Sequence, residues 1–156
     1  MTTESKATML HAARPLSPPE MLERAMEGFG HYEEARYPEA RAVFEHLSEL
    51  DPAEGYYRTA LGAIHLAEED LVPALRHFDA ALAMNDTDSA ALVNRGEVHL
   101  RLGNIMDAVR DLAHAVELDP YDREPLTQRA RLLAAAALES IEAAQREVGV
   151  EPSARR

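Results

Sequence analysis

The chain has 156 residues, of which 46% are hydrophobic, so it is long enough for one domain with a continuous core and too short for two ordinary domains. Its formal net charge of -12 repels phosphate backbones and anionic lipid surfaces, which disfavours a nucleic-acid partner. The absence of Cys excludes disulfides and thiolate metal sites, and it fits a reducing cytoplasm. Aromatic residues make up only 5%, and an apolar set dominated by Ala and Leu favours closely packed helices.

The N-terminal residues 1–16 alternate polar and small side chains without a sustained period, so we predict a flexible tail there. This stretch lacks the apolar core of a secretory signal. No window of the sequence approaches the roughly 18 apolar residues of a membrane span. We therefore expect a cytoplasmic protein that does not insert directly into a membrane.

A repeat with a period of 34 residues runs through the chain without a gap. At this offset small residues coincide in two sets: Gly28, Gly62 and Gly96, and Ala40, Ala74 and Ala108. A period of 34 is that of the tetratricopeptide repeat (TPR), in which each unit is a helical hairpin. The small residues mark the places where the two helices of a hairpin approach closely. Three repeats are predicted, at about 21–54, 55–88 and 89–122.

Helix signals place three pairs of helices in these repeats. The predicted pairs are 18–34 with 38–50, 54–68 with 72–84, and 88–102 with 106–118. Ser17 and Asp51, each followed by Pro and then by Glu three residues on, are interpreted as N-caps.

After the third repeat, apolar residues at helical spacing predict a helix over 123–148, followed by a tail at 149–156. This helix is expected to cover the open end of the third repeat, since the ends of a solenoid need capping. The predicted fold class is all-α: three tandem TPR hairpins in a right-handed superhelix plus a C-terminal capping helix, forming one TPR domain over 17–148.

Three histidines, His31, His65 and His99, recur at one repeat position. A metal site would need all three ring nitrogens about 2 Å from one ion, whereas equivalent repeat positions lie at least roughly 8 to 10 Å apart. We interpret them as rings that fill equivalent core niches, and we predict no metal site.

Acidic clusters such as Glu68-Glu69-Asp70 raise the alternative of acid–base catalysis. No nucleophile, oxyanion donor set or glycine-rich phosphate loop accompanies them, so a solvated surface is the better interpretation. The chain is predicted to be no enzyme, without catalytic residues or a cofactor.

A partner-binding groove is predicted on the first helices of the hairpins, which line the inner surface of stacked TPRs. Its lining is mostly apolar and suits an extended peptide. The predicted groove residues are Leu22, Ala25, Phe29, Tyr32, Tyr56, Thr59, Ala63, Leu66, Val93, Glu97 and Leu100. The alternative is that some of them only pack against the terminal helices. Recognition of an acidic chain terminus is disfavoured, because the first two repeats offer no Lys or Asn there.

The order of motifs over residues 16–145 resembles the class II chaperones of bacterial type III secretion, the group of SycD, LcrH and IpgC. The resemblance rests on collinear short motifs and on three repeats with one long closing helix. The motifs are Leu16-Ser17, Phe29-x-x-Tyr32, Arg36-Tyr37-x-x-Ala40, Val43-Phe44, Leu50-Asp51, Tyr56-Tyr57, Leu61-Gly62-Ala63 and Leu138-Glu139-Ser140-Ile141. The sequence departs from the pattern at the three histidines and at Glu68-Glu69-Asp70, where a glycine is usual.

The resemblance implies that the groove holds an extended segment of Pro-x-Leu-x-x-Pro type from a translocator client, with Phe29, Tyr32 and Tyr56 as the matching aromatic residues. It also implies a homodimer through the N-terminal helical region, around Leu16 to Ala25. The expected function is a chaperone that keeps a secreted client soluble before export. The alternative is a TPR adaptor or scaffold in another bacterial assembly.

Overall fold

The computed structural model describes residues 15–149, so most of both predicted tails lies outside the described residues. Within that range the chain forms seven helices and no strand, which confirms the all-α fold class. The helices are α1 Pro18–Glu33, α2 Tyr37–Leu50, α3 Gly55–Ala67, α4 Leu71–Met84, α5 Ser89–Arg101, α6 Ile105–Leu118 and α7 Pro125–Gly149. They divide into two compact units, Met1–Glu54 and Gly55–Arg156.

The first unit is the hairpin of α1 and α2. At the start of α1 the carboxylate of Glu20 accepts hydrogen bonds from the backbone amide and the hydroxyl of Ser17, at 2.7 and 2.6 Å. The two helices meet at Gly28, where an added Cβ would lie 2.8 Å from Val43 and 2.9 Å from the Phe44 ring. Phe44 is buried, so this glycine sets how closely the helices pack.

The second unit contains two more hairpins, α3 with α4 and α5 with α6, and α7 packs against both α5 and α6. The contacts repeat those of the first unit: a Cβ on Gly62 would meet the Phe78 ring, and a Cβ on Gly96 would meet Leu112. Phe78, Leu112 and Ala130 are fully buried in one hydrophobic cluster. Because Ala130 belongs to α7, the last helix closes the core of the third repeat.

Each hairpin turn has the same hydrogen-bond pattern at its tip. Ala35, Glu69 and Gly103 stand 34 residues apart and all have positive φ, of 56°, 61° and 78°. In every case the next residue donates its amide to the carbonyl five residues back, at 2.8 Å, and the positive-φ residue donates to the carbonyl three residues back. This is the Schellman motif, which favours glycine at its left-handed position. Only one of the three turns has the glycine.

Two helix starts in the second unit differ from the predictions. Asp51 follows the last residue of α2 and accepts a hydrogen bond from the Ala53 amide at 3.2 Å, so it closes a turn and is not the N-cap of α3. α7 begins at Pro125 instead of residue 123. The carboxylate of Asp119 explains this, because it accepts hydrogen bonds from the Thr127 hydroxyl and the Glu124 amide, at 2.7 and 2.9 Å. These two bonds lower the pKa of Asp119.

Candidate functional site

The first unit exposes a row of large apolar side chains on α1. Leu22, Met26 and Phe29 are 64%, 67% and 48% exposed, and their spacing of four and three residues puts them on one helix face. The adjacent side of the helix buries Ala25 and Gly28. We call Leu22, Met26 and Phe29 the α1 stripe. Met26 was not among the predicted groove residues, although its spacing from Leu22 would have identified it.

Aromatic contacts continue from the α1 stripe into α2. The rings of Phe29 and Tyr32 stack with centroids 6.3 Å apart, and Tyr32 lies 5.9 Å from Tyr37 at the start of α2. Tyr32 and Tyr37 are half-buried. Phe29 is therefore supported on one side by packed rings, which gives a binding surface that loses little side-chain entropy when a ligand covers it.

In the second unit an aromatic residue, Tyr56, is exposed near the start of α3. Its ring is 48% exposed and makes an edge-on contact, 6.1 Å between centroids, with the buried ring of Tyr57. Partial burial raises the pKa of Tyr56, so the phenol stays protonated at neutral pH. Ala63 lies two turns further along the helix and is half-buried. Tyr56 thus offers a ligand both a ring face and a hydroxyl.

Four predicted groove residues are buried, which corrects the prediction that they line an open surface. Ala25, Thr59 and Val93 share one repeat position and are 7%, 6% and 0% exposed, and Leu66 is 7% exposed. Ala25, Thr59 and Val93 lie three residues before Gly28, Gly62 and Gly96, on the side of the first helix that is buried. The Thr59 hydroxyl donates to the carboxylate of Asp88 at 2.7 Å, and Leu66 and Val93 belong to the hydrophobic cluster. These four residues therefore have a packing role, while the alternative of packing against the terminal helices stays a prediction.

A charged network occupies the exposed side of α5. The carboxylate of Glu97, whose side chain is only 14% exposed, accepts hydrogen bonds from Arg101 at 2.6 Å and from Arg129 of α7. Arg129 also donates to the side-chain oxygen of Asn94 at 3.0 Å. Leu100 is half-buried beside this network. Two guanidinium groups around one carboxylate leave a local positive charge in a strongly acidic chain. Arg129 was not among the residues predicted from the sequence.

The repeated histidines have different surroundings. His65 stacks on His77 with ring centroids 5.3 Å apart and planes 12° from parallel, whereas His99 Nε2 lies 3.9 Å from the buried Asp111 carboxylate. His31, His65 and His99 are all half-buried. Among residues 15–149, no group of three or more His, Cys, Asp or Glu side chains is arranged to hold a metal ion.

Searches against known proteins find likeness only among solved structures: no protein-family model matches the chain, and no curated protein matches it. One similar structure is PcrH of Pseudomonas aeruginosa in complex with the chaperone-binding region of PopD, at 24% identity and a TM-score of 0.74 over 82% of this chain and 98% of that one. Another is the type III secretion chaperone SycD of Yersinia enterocolitica in complex with a peptide of the translocator YopD, at 22% identity and a TM-score of 0.73 over 81% and 98%.

A third similar structure is the first TPR of Spaghetti bound to an HSP90 peptide, at 17% identity and a TM-score of 0.73 over 82% and 98%. These proteins bind peptides and differ in the peptide bound. No helix within residues 15–149 is both long and apolar enough to span a bilayer. The comparisons establish that the chain has the fold of these TPR proteins.

Proposed function

We propose that this protein is a chaperone of the type III secretion kind, which binds an extended segment of a translocator-type client and keeps it soluble before export. The observation that carries the proposal is the α1 stripe, where three large apolar side chains lie open on a helix whose adjacent side is already packed. A row of exposed apolar residues on a soluble fold marks a binding surface. The three side chains of the α1 stripe follow one another along one helix face, so an extended client can contact them in succession.

The first unit offers a client the α1 stripe with Tyr32, and the second unit, taken by itself, offers Tyr56 with Ala63 on α3. The network of Glu97, Arg101 and Arg129 adds polar contacts on α5. A partly apolar, partly aromatic lining of this kind suits extended peptides, since aromatic rings give a large contact area. The similarity to PcrH and SycD supports the same assignment, because both were solved with translocator peptides.

The remaining features of the proposal follow from the chemistry of the surface. The chain acts by binding and carries no catalytic role, and it works in the cytoplasm, where a protein without Cys loses no disulfide. Its acidic surface keeps a complex with an apolar client in solution and disfavours nucleic acid. A homodimer through the N-terminal helix would compete with the client for Leu22 and Met26, which are exposed on α1.

A second candidate is an adaptor that binds a different peptide. The TPR of Spaghetti is as similar in structure as SycD is and binds an HSP90 peptide. Arg101 and Arg129 also provide cationic donors that an acidic peptide would use. An adaptor of this kind would depend on Arg129 more than on Phe29.

The test is binding of a fluorescent peptide with a Pro-x-Leu-x-x-Pro sequence to the full chain, measured by anisotropy. Phe29→Ala with Tyr32→Ala should weaken binding by more than about 2 kcal/mol, as loss of central aromatic contacts does. Exposed Tyr121 of the α6–α7 connection provides the control, since Tyr121→Ala should leave the affinity unchanged. If the double variant keeps its helicity and binds the peptide with unchanged affinity, the α1 stripe does not bind the client.

A further inference from the structure

The last helix is much longer than the helix on which it packs. α7 has 25 residues and α6 has 14. The buried residues of α7, Thr127, Ala130 and Ala137, all lie in its first half, and among residues 138–149 only Ile141 is even half-buried. The second half of α7 therefore continues past the core that holds the first half.

An open apolar groove lies where α6 stops covering α7. It has a volume of about 530 Å³, and its apolar lining consists of Ile105 at the start of α6 and of Ile141, Ala144 and Val148 of α7, beside Ser140, Gln145 and Gly149. We call the four apolar residues the distal groove. Ile141, Ala144 and Val148 repeat at helical spacing from Ala130 and Ala137, so they continue the same face that packs on α6 upstream. Val148 is 80% exposed, and Met106 beside Ile105 is 68% exposed.

The rim of the distal groove is acidic. Glu142 and Glu147 are exposed on the second half of α7, about 100° to 120° around the helix from Ile141 on its two sides, and neither forms an ion pair with a basic side chain in the described part of the chain. The single basic residue of this segment, Arg146, donates to the backbone carbonyl of Glu142 at 3.3 Å. A second copy of a chain with a net charge of -12 would bring further negative charge to this rim. A partner with basic flanks would neutralise it.

We propose that the distal groove docks an amphipathic helix of a partner protein, with its apolar face on Ile141 and Val148 and with Lys or Arg on its flanks. A helix fits because the open stretch prolongs the seam between α6 and α7, in which one helix already packs on another. From Ala137 to Gly149 this seam runs about 18 Å, which is about three turns of a partner helix. The surface is separate from the client residues on α1, α3 and α5, so the inference goes beyond the proposed function.

The experiment uses the full chain and two synthetic helical peptides of identical apolar face, one flanked by Lys and the other by Glu, with binding read by fluorescence anisotropy. The Lys peptide should bind at least tenfold more tightly than the Glu peptide. Ile141→Glu should weaken the Lys peptide at least tenfold, whereas Leu132→Glu should change it less than twofold. Leu132 is the matched control, because it is 74% exposed on the same helix and half a turn away from Ile141 in angle.

Charge reversal of the rim tests the flank assignment directly. Glu142→Lys with Glu147→Lys should invert the preference, so that the Glu peptide becomes the tighter ligand. Equal binding of the two peptides by the unaltered chain, or a Lys-peptide affinity unaffected by Ile141→Glu, would overturn the proposal.

Two other occupants would also overturn it. A dimer in sedimentation that Ile141→Glu dissociates would show that a second copy fills the distal groove. A tenfold gain in Lys-peptide affinity on Arg155→Ser with Arg156→Ser would show that the chain's own basic C-terminal residues fill it. Phe29→Ala with Tyr32→Ala should leave Lys-peptide binding intact, so failure of the client assignment and failure of this one are separable.

Discussion

The Cα of Gly62 on α3 faces the ring of Phe78 on α4 so closely that an added Cβ would lie 2.5 Å from the ring carbon Cε1. Phe78 is fully buried, and side chains in protein cores are closely packed. Gly28 with Phe44 and Gly96 with Leu112 repeat the contact in the other hairpins. The two helices of each hairpin can thus pack this closely because the residue at the contact is glycine, which has no Cβ.

Gly62→Ala should destabilise the protein by about 1 to 2 kcal/mol. Overpacking of a filled core costs about 1 to 3 kcal/mol, and the better helix propensity of Ala offsets less than about 1 kcal/mol of that. Chemical denaturation measures the change. Gly30→Ala is the matched control, because no atom lies within 4 Å of a Cβ at that helical position, and it should stabilise by about 0.5 to 1 kcal/mol. A Gly62→Ala protein as stable as its parent would show that the helices separate without cost.

Glu69→Gly should stabilise the second hairpin turn by about 1 kcal/mol, since Glu69 holds a left-handed backbone with φ of 61° that only glycine adopts without a steric penalty. Gly103 occupies the same position in the third hairpin with φ of 78°, so Gly103→Ala should lose a similar amount. Thermal unfolding of both variants measures the pair of effects. Glu69→Gln separates charge from conformation: if it stabilises as much as Glu69→Gly does, relief of acidic repulsion is the cause instead.

The repeat period identified the hairpins because the close helix contacts demand a small residue at one fixed place in each unit. The repeat period did not indicate which residues of the first helices are exposed to solvent. Phe29, Ala63 and Glu97 share a repeat position and lie at an accessible surface, whereas Ala25, Thr59 and Val93 share the position four residues earlier and are buried. Spacing alone could not separate the two positions, since Ala25 lies three residues before buried Gly28 and four before exposed Phe29, and both spacings put residues on one face.

Contacts between residues distant in sequence were the other part that could not be predicted. Arg129 reaches Glu97 across 32 positions, and the ion pair exists only because α7 packs beside α5. The sequence indicated a closing helix, but it did not indicate which face of that helix packs against α5. Only the folded chain shows which side chains of α7 contact α5. It also shows that the second half of the apolar face of α7 is open.

Removing Arg95 should destabilise the second unit by about 3 kcal/mol. Its guanidinium donates two hydrogen bonds of 2.7 Å to the carboxylate of Asp111, and a third of 2.8 Å to Asp79. Asp111 is 4% exposed, so Arg95→Ala leaves a buried carboxylate without its partner, which typically costs about 3 to 5 kcal/mol. Urea denaturation measures the loss.

The double variant Arg95→Leu with Asp111→Leu should recover most of that stability, because apolar replacement of both partners removes the unpaired charge. Comparison of the single variants Arg95→Leu and Asp111→Leu with the double variant isolates the coupling between the residues. Additive losses in the three variants would contradict the assignment, since they would mean that each side chain contributes by its own packing.

Acidification between pH 6.5 and about 4 should destabilise the protein through His77. Burial, together with nearby His65, Arg58 and Arg76, lowers the pKa of His77 from 6.5 to about 4. A folded-state pKa below the unfolded value means that the unfolded chain takes up the proton first as the pH falls. The stability present above pH 6.5 is therefore lost through this window and no further below it. Because the ring is half-exposed, solvent screening reduces the expected loss to about 1 to 2 kcal/mol.

His77→Phe keeps a flat ring against His65 and cannot titrate, so its urea midpoint should fall less than that of the parent between pH 7 and pH 4.5. His46→Phe, at an exposed histidine of α2, controls for the loss of a histidine as such. Parallel falls in the parent and in His77→Phe would assign the acid sensitivity to the carboxylates.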